Sequence, residues 1–260
     1  MVRRPSHVFV GGLHRSGTSL LAGLIGQHPD IGTIEGAPVP EQEGVYLQGA
    51  IAHTARHGVP GDFAHDPDQH LTELSPCNTL ETATRLTRDW DGWFQPGTPW
   101  RIEKSPVNLL RARLYQQLFP MAHFIFLVRH PLAVSRATAK WSGKTESELL
   151  EHWQVAYQIV ERDLSYLHCA LVLRYEDLCA APAQVMDRVA AFLALDPAPF
   201  HRGVHDVHDG NARYLDAAPA GPLPEIAGRL GYGPDGVCAP MAEGFACRHV
   251  FRSIREAVDP

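Results

Sequence analysis

With 260 residues, 45% of them hydrophobic and 20% charged, the chain is long enough for one substantial core and short for two enzyme domains, so a single domain over 1–260 is expected. A formal net charge of −6 gives no global attraction to nucleic acid or anionic lipid, and any anion site has to be built locally from a few arginines or lysines. The five cysteines (Cys77, Cys169, Cys179, Cys238 and Cys247) are odd in number and show no C-x-x-C spacing, which argues against a disulfide framework or a zinc ribbon. The apolar run Val8–Val10 meets glycines before it becomes a signal-peptide core, and no stretch approaches transmembrane length. A reducing cytoplasm is the location these features imply, with neither membrane nor nucleic acid as partner.

In chain order, His7 to Gly12 reads as a short buried strand ended by a glycine pair. A helix follows over Ser16 to Gln27, where Leu20, Leu21, Leu24 and Ile25 share one face and Pro29 prevents continuation. The region 33–99 is rich in Gly, Pro and His, relieved by a helix from about Thr79 to Trp90, and is expected to shape an acceptor pocket or lid. Trp100–Lys104 is a brief strand, after which Ser105 is placed to cap a helix with Pro106 in its first position.

His123–Val128 (HFIFLV) is the strongest strand pattern, and Pro131 opens a helix reaching Trp141. Thr145 and Glu148 form a capping-box pattern ahead of a long amphipathic stripe from Leu149 to Leu167. Ala170–Leu173 is a further strand, Pro182–Leu195 a helix, and Phe245–Val258 a closing helix. This alternation predicts an α/β fold in three layers, a central parallel sheet flanked by helices.

Gly12-Leu-His-Arg-Ser-Gly17-Thr18-Ser19 fits the phosphate-loop pattern G-x-x-x-x-G-K-[ST] except that Thr18 stands where lysine belongs. Backbone N–H groups at a helix N-terminus still favour an anion, so phosphate binding survives, but the cation that neutralises a triphosphate is lost. The strand HFIFLV also ends in Arg129 rather than in a magnesium-binding aspartate. An arginine at the C-terminal end of a parallel strand faces the ligand crevice and suits a further phosphate. The pattern therefore describes a P-loop-like site for phosphates that needs no metal.

The strings HRSGTSLL (14–21), EKSP (103–106), LVRHP (127–131) and RYEDL (174–178) occur in the order found in the sulfotransferase family, which the chain resembles over residues 8 to about 195. The resemblance is to the bacterial branch related to tyrosylprotein and glycan sulfotransferases. It implies transfer of a sulfonate group from 3′-phosphoadenosine 5′-phosphosulfate (PAPS) to an acceptor hydroxyl, with 3′,5′-bisphosphoadenosine (PAP) as product and no metal. It implies further that Arg15, Ser16, Gly17, Thr18 and Ser19 hold the donor's 5′ end and that Arg129 binds the 3′-phosphate. Where the family often has a serine eight positions after that arginine, this chain has Ala137; Thr138 is the first substitute and Ser135 the second. Tyr175 is assigned to the neighbourhood of the adenine.

In-line sulfonate transfer needs fixed cations and a base. Arg15 and Lys104 are the expected cations, and Glu35 is the expected base, with Glu41, Glu43 and His14 as alternatives. The acceptor class stays open among small molecules, glycans and peptides, and the aromatics Trp90, Trp93, Phe94 and Trp100 are candidates to stack on it. Asn211, Arg213 and Tyr214 are candidates for a late segment closing over the donor. His53, His57, His65 and His70 fit no standard metal spacing. The competing reading is a P-loop small-molecule or nucleoside kinase in which Arg15 replaces the missing lysine.

Overall fold

The computed structural model describes residues 5–53, 61–216 and 221–258. A six-stranded sheet runs through the molecule in the order β2-β3-β1-β4-β5-β8, with β1 (Ser6–Gly11), β2 (Ile31–Thr33), β3 (Trp100–Lys104), β4 (His123–Val128) and β5 (Cys169–Arg174) mutually parallel. The last strand, β8 (Arg248–His249), joins β5 in antiparallel sense, so the parallel sheet carries one reversed edge. A two-residue hairpin, β6 (Tyr232–Gly233) with β7 (Gly236–Val237), lies outside it.

Two-residue alternation along the strands divides the core into two faces. Phe9, Phe124, Phe126, Ala170 and Val172 point to a predominantly aromatic layer completed by α2 (Leu80–Asp91), α3 (Asn108–Leu118), α5 (Glu146–Leu164) and α9 (Glu225–Arg229). Val8, Val10, Ile125, Leu127, Leu171 and Leu173 point the other way, into an aliphatic layer with α1 (Thr18–Ile25) and α7 (Pro182–Leu193). Within the region 33–99, Trp90 is fully buried and donates its indole N–H to the Gly44 carbonyl at 2.9 Å.

Thr79 caps α2 by accepting from the Thr82 amide at 3.1 Å, and the Thr145/Glu148 capping box opens α5 as its spacing predicts. Other expectations are corrected. Ser105 does not cap α3, which begins at Asn108, because its hydroxyl is drawn to the buried Glu103 carboxylate at 2.5 Å. The closing helix is shorter than its pattern: α10 spans Val250–Val258, while Phe245 is buried in the aromatic layer and the chain then pairs as β8. α4 (Pro131–Ser142), α6 (Tyr175–Ala180) and the short α8 (Ala212–Leu215) complete the frame. No helix among the described residues is long and apolar enough to cross a membrane.

Candidate active-site cleft

The C-terminal ends of β3, β1, β4 and β5 open into one cleft of about 460 Å³, the crevice where open α/β sheets place ligands. Its floor is the loop after β1. Gly17 has φ +97, and a Cβ there would lie 2.8 Å from the Tyr175 ring, so only glycine allows this turn so close to that side chain. Arg15 also takes a left-handed conformation, φ 68, and its exposed guanidinium lies over the Trp141 ring at 5.1 Å. Arg15, Gly17, Thr18 and Ser19 all line the cleft. Ser16 does not: it is fully buried, and its hydroxyl closes the loop by donating to the Leu13 carbonyl at 2.6 Å.

On the β4 side Arg129 is buried and held from three directions. Nε donates to Asn211 Oδ1 at 2.7 Å, Nη1 donates to the Arg15 carbonyl at 2.9 Å, and the guanidinium lies 4.2 Å from the Tyr175 ring centroid. Nη2 is buried with no partner among the described residues. An orphaned guanidinium nitrogen costs stability, and a permanent cation so placed in a cleft wall suits an anion. Asn211 is fixed in turn by Glu176, which accepts from its amide at 2.7 Å and from Tyr232 at 2.7 Å. Arg213 and Tyr214 line the same wall.

The two hydroxyl substitutes are not on that wall. Ala137 lines the cleft, whereas Thr138 lines a separate void of about 10 Å³ with Leu13, His14 and Leu149; Ser135 is fully buried off the cleft. Both hydroxyls lack a partner among the described residues. The cause is helical geometry, since Ala133 and Ala137 share the face of α4 that packs on Tyr214 and a one-residue step rotates a side chain by about 100°.

On the β3 side the acid-base groups collect. Lys104 Nζ donates to Glu43 Oε1 at 3.0 Å, and both side chains are buried. Glu43 lines the cleft, with Lys104 one hydrogen bond behind it. Burial pushes the Glu43 carboxyl up to about 7, against the pull of Lys104 and with a further push from Glu103 and Glu41. Glu103 anchors this corner: it is buried and accepts from the Gly44 amide at 2.9 Å and from Asn108 at 2.6 Å, and desolvation keeps it above the usual carboxylate range.

Glu35, the expected base, is not brought here. It is exposed, accepts from the Thr33 hydroxyl at 2.9 Å, and has its amide tied to the Trp93 carbonyl at 3.1 Å. Glu41 lines the cleft and accepts from Ser19 at 3.1 Å, but is exposed. His14 also lines it, and burial with the neighbouring Lys104 charge pushes its imidazole down to about 4. Of the four candidates Glu43 alone is buried, in the cleft and poised near neutral pH.

None of Trp90, Trp93, Phe94 or Trp100 lines the cleft; Trp141, at the end of α4, is the tryptophan that does. His70 is engaged by Asp163 at 2.6 Å, the His65 ring lies tilted against that of His152 with centroids 5.6 Å apart, and His53 meets Gln69 at 3.4 Å; His57 lies outside the described residues.

A P-loop-like α/β fold with an arginine-walled cleft is suited to a phosphorylated ligand, and it carries neither the loop lysine nor the strand-end aspartate of an NTPase. The sequence profile described as the sulfotransferase family matches residues 5–199, and the chain belongs to that family. It is 24% identical over 200 residues to protein-tyrosine sulfotransferase 2 of Gallus gallus, covering 72% of this chain and 51% of that protein. It is 27% identical over 226 residues to nodulation protein NoeE of Sinorhizobium fredii (strain NBRC 101917 / NGR234), covering 75% and 51%. The chain thus spans about half the length of the curated relatives it matches. Among solved structures, the sulfotransferase domain from the curacin biosynthetic pathway shares the fold at a TM-score of 0.55 and 16% identity, covering 89% of this chain and 99% of that one.

Proposed function

We propose that the protein is a PAPS-dependent sulfotransferase that moves a sulfonate group onto an acceptor hydroxyl in the cleft between Arg129 and Glu43. The observation that carries the reading is Arg129: a buried, pre-oriented cation with one nitrogen unpartnered among the described residues, at the strand end where a magnesium-dependent enzyme carries an aspartate. The residues present fit a bisphosphorylated nucleotide. Arg15, Gly17, Thr18 and Ser19 would hold its 5′ end, Arg129 and Arg213 its 3′-phosphate, and Tyr175 would border the base.

When bound, the donor supplies a sulfonate group on a phosphate leaving group. Glu43 takes the proton of the acceptor hydroxyl, a role for which a carboxyl held near 7 is suited at neutral pH. Lys104 orients that carboxylate and, with Arg15, provides fixed positive charge where negative charge develops. The acceptor enters from the side of Glu43 and Trp141, and the hydroxyl compound is a small molecule, glycan or peptide.

Calorimetry with PAP and, separately, with ATP and Mg²⁺ tests the reading. Micromolar binding of PAP without metal is the expected result, and binding of magnesium-ATP alone would establish a kinase-like site instead.

A further inference from the structure

At the opposite end of the sheet, where β4 and β5 begin, three side chains capable of coordinating a metal converge. His123 is the first residue of β4, Cys169 the first of β5, and His249 pairs directly with Cys169 across the β5–β8 ladder. The β4–β5 register, Phe124 beside Ala170, sets His123 beside Cys169. One atom from each side chain forms a triangle with no side above 4.8 Å, and Cys169 Sγ lies 3.6 Å from His249 Nδ1. Cys169 and His123 are buried. Among the described residues this is the one group of three or more His, Cys, Asp or Glu side chains so disposed.

The proton positions on both imidazoles follow from their partners. His123 Nδ1 lies 3.2 Å from the Met121 carbonyl, which only accepts, so Nδ1 carries the proton and Nε2 keeps its lone pair. His249 Nε2 lies 3.0 Å from the Phe192 carbonyl and must donate, while Nδ1 accepts from the Arg252 amide at 3.1 Å. Each ring therefore donates its distal N–H to a backbone carbonyl, the arrangement that orients metal-bound histidines. A tetrahedral zinc with Zn–S of about 2.3 Å and Zn–N of about 2.0 Å sets sulfur and nitrogen about 3.5 Å apart. A cavity of about 360 Å³, lined by His123, His249, Arg252 and Glu256 among others, gives access from solvent.

We infer that His123, Cys169 and His249 form a Zn²⁺ site, with the fourth coordination position open to this cavity for water. Coordination replaces the single Arg252 N–H contact to His249 and releases the thiol proton to solvent. Its effect is to tie β8, which meets β5 through only two residue pairs, to the sheet. The inference does not depend on the sulfotransferase reading, since no residue of the cleft takes part.

The test is titration of the chelator-treated full chain with Co²⁺ as an optical probe, followed by Zn²⁺ displacement. One equivalent is expected to give strong visible bands of tetrahedral cobalt and a near-ultraviolet thiolate-to-cobalt band. Cys169→Ala, or Cys169→Ser should the alanine variant fold poorly, loses the thiolate band. His249→Ala weakens binding at least tenfold, and Cys247→Ser, at the neighbouring exposed thiol, changes nothing. One equivalent of Zn²⁺ raises the thermal midpoint of the unmodified chain. Absence of the thiolate band at stoichiometric cobalt, its survival in both Cys169 variants, or a midpoint unmoved by zinc overturns the inference.

Discussion

Lys104 Nζ and Glu43 Oε1 meet at 3.0 Å across 61 residues of sequence, in a corner where each side chain is only 8% exposed. Lysine stands at the end of β3, and glutamate arrives on the turns around residues 40–46, which Glu103 pins by accepting from the Gly44 amide. The pair joins a cation and a carboxyl that burial has pushed up to about 7. Four expected outcomes follow from this corner and from the Arg129 wall.

Glu43→Gln is expected to lower kcat by about 10²–10⁴-fold, the usual loss of a general base, while PAP affinity stays within a few-fold. Glu35→Gln leaves kcat unchanged, because that carboxylate is exposed and outside the cleft. Steady-state rates with a fixed acceptor separate the two; equal losses would return the base to Glu35.

The pH dependence of Glu43 has a definite sign. Its folded carboxyl holds a proton up to about 7 against an ordinary value of 4.5, so the folded state binds more protons between those values. Stability therefore falls as pH rises from about 4.5 to about 7, and activity, which needs the ionised form, rises through about 7. Lys104→Ala removes the charge that opposes this shift. It lowers the rate and moves the acid limb of the pH–rate profile to higher pH; full activity with an unmoved limb would deny Lys104 its role.

Arg129→Lys keeps the charge but loses the planar fork that holds Asn211 and the Arg15 carbonyl. A charge-assisted hydrogen bond contributes about 1.5–3 kcal/mol, so PAP affinity should fall about ten- to hundredfold. Adenosine 5′-phosphate, which lacks the 3′-phosphate, should lose far less. Calorimetry with the two nucleotides gives the comparison, and equal losses would place Arg129 elsewhere in recognition.

Much of this arrangement is legible in the chain, and the reasons differ by element. Val8–Val10, HFIFLV and the run starting at Cys169 are strands whose two faces both meet core, so continuous apolar runs announce them. The glycine loop and Arg129 are legible by local spacing. Glu43 is not, because nothing periodic links residues 33–46 to β3 and its role depends on a contact with Lys104 made only in three dimensions. Helix phase at α4 is settled only by packing: Ala137 meets Ala133 and Tyr214, whereas Thr138, one residue on and within one turn of Trp141, faces Leu13 and Leu149. The proposed zinc-ligand set escapes notice because His123, Cys169 and His249 have no common spacing and meet only through the β4–β5 and β5–β8 pairings.

That helix phase carries the last expectation. Ala137 has its Cβ on the cleft wall beside Arg129, Arg213 and Tyr214, where no hydroxyl faces the ligand from α4. Ala137→Ser adds one there without adding a bulky group, and is expected to tighten PAP binding several-fold, about one neutral hydrogen bond of 0.5–1.5 kcal/mol. Thr138→Val and Ser135→Ala act differently, since both hydroxyls are buried, off the cleft and without partners among the described residues. Removing an unsatisfied buried hydroxyl relieves a desolvation cost, so each variant should leave PAP affinity unchanged and keep or raise the thermal midpoint. A loss of PAP affinity of tenfold or more in Thr138→Val, with the midpoint unchanged, would mean that α4 turns its other face to the 3′-phosphate when nucleotide binds.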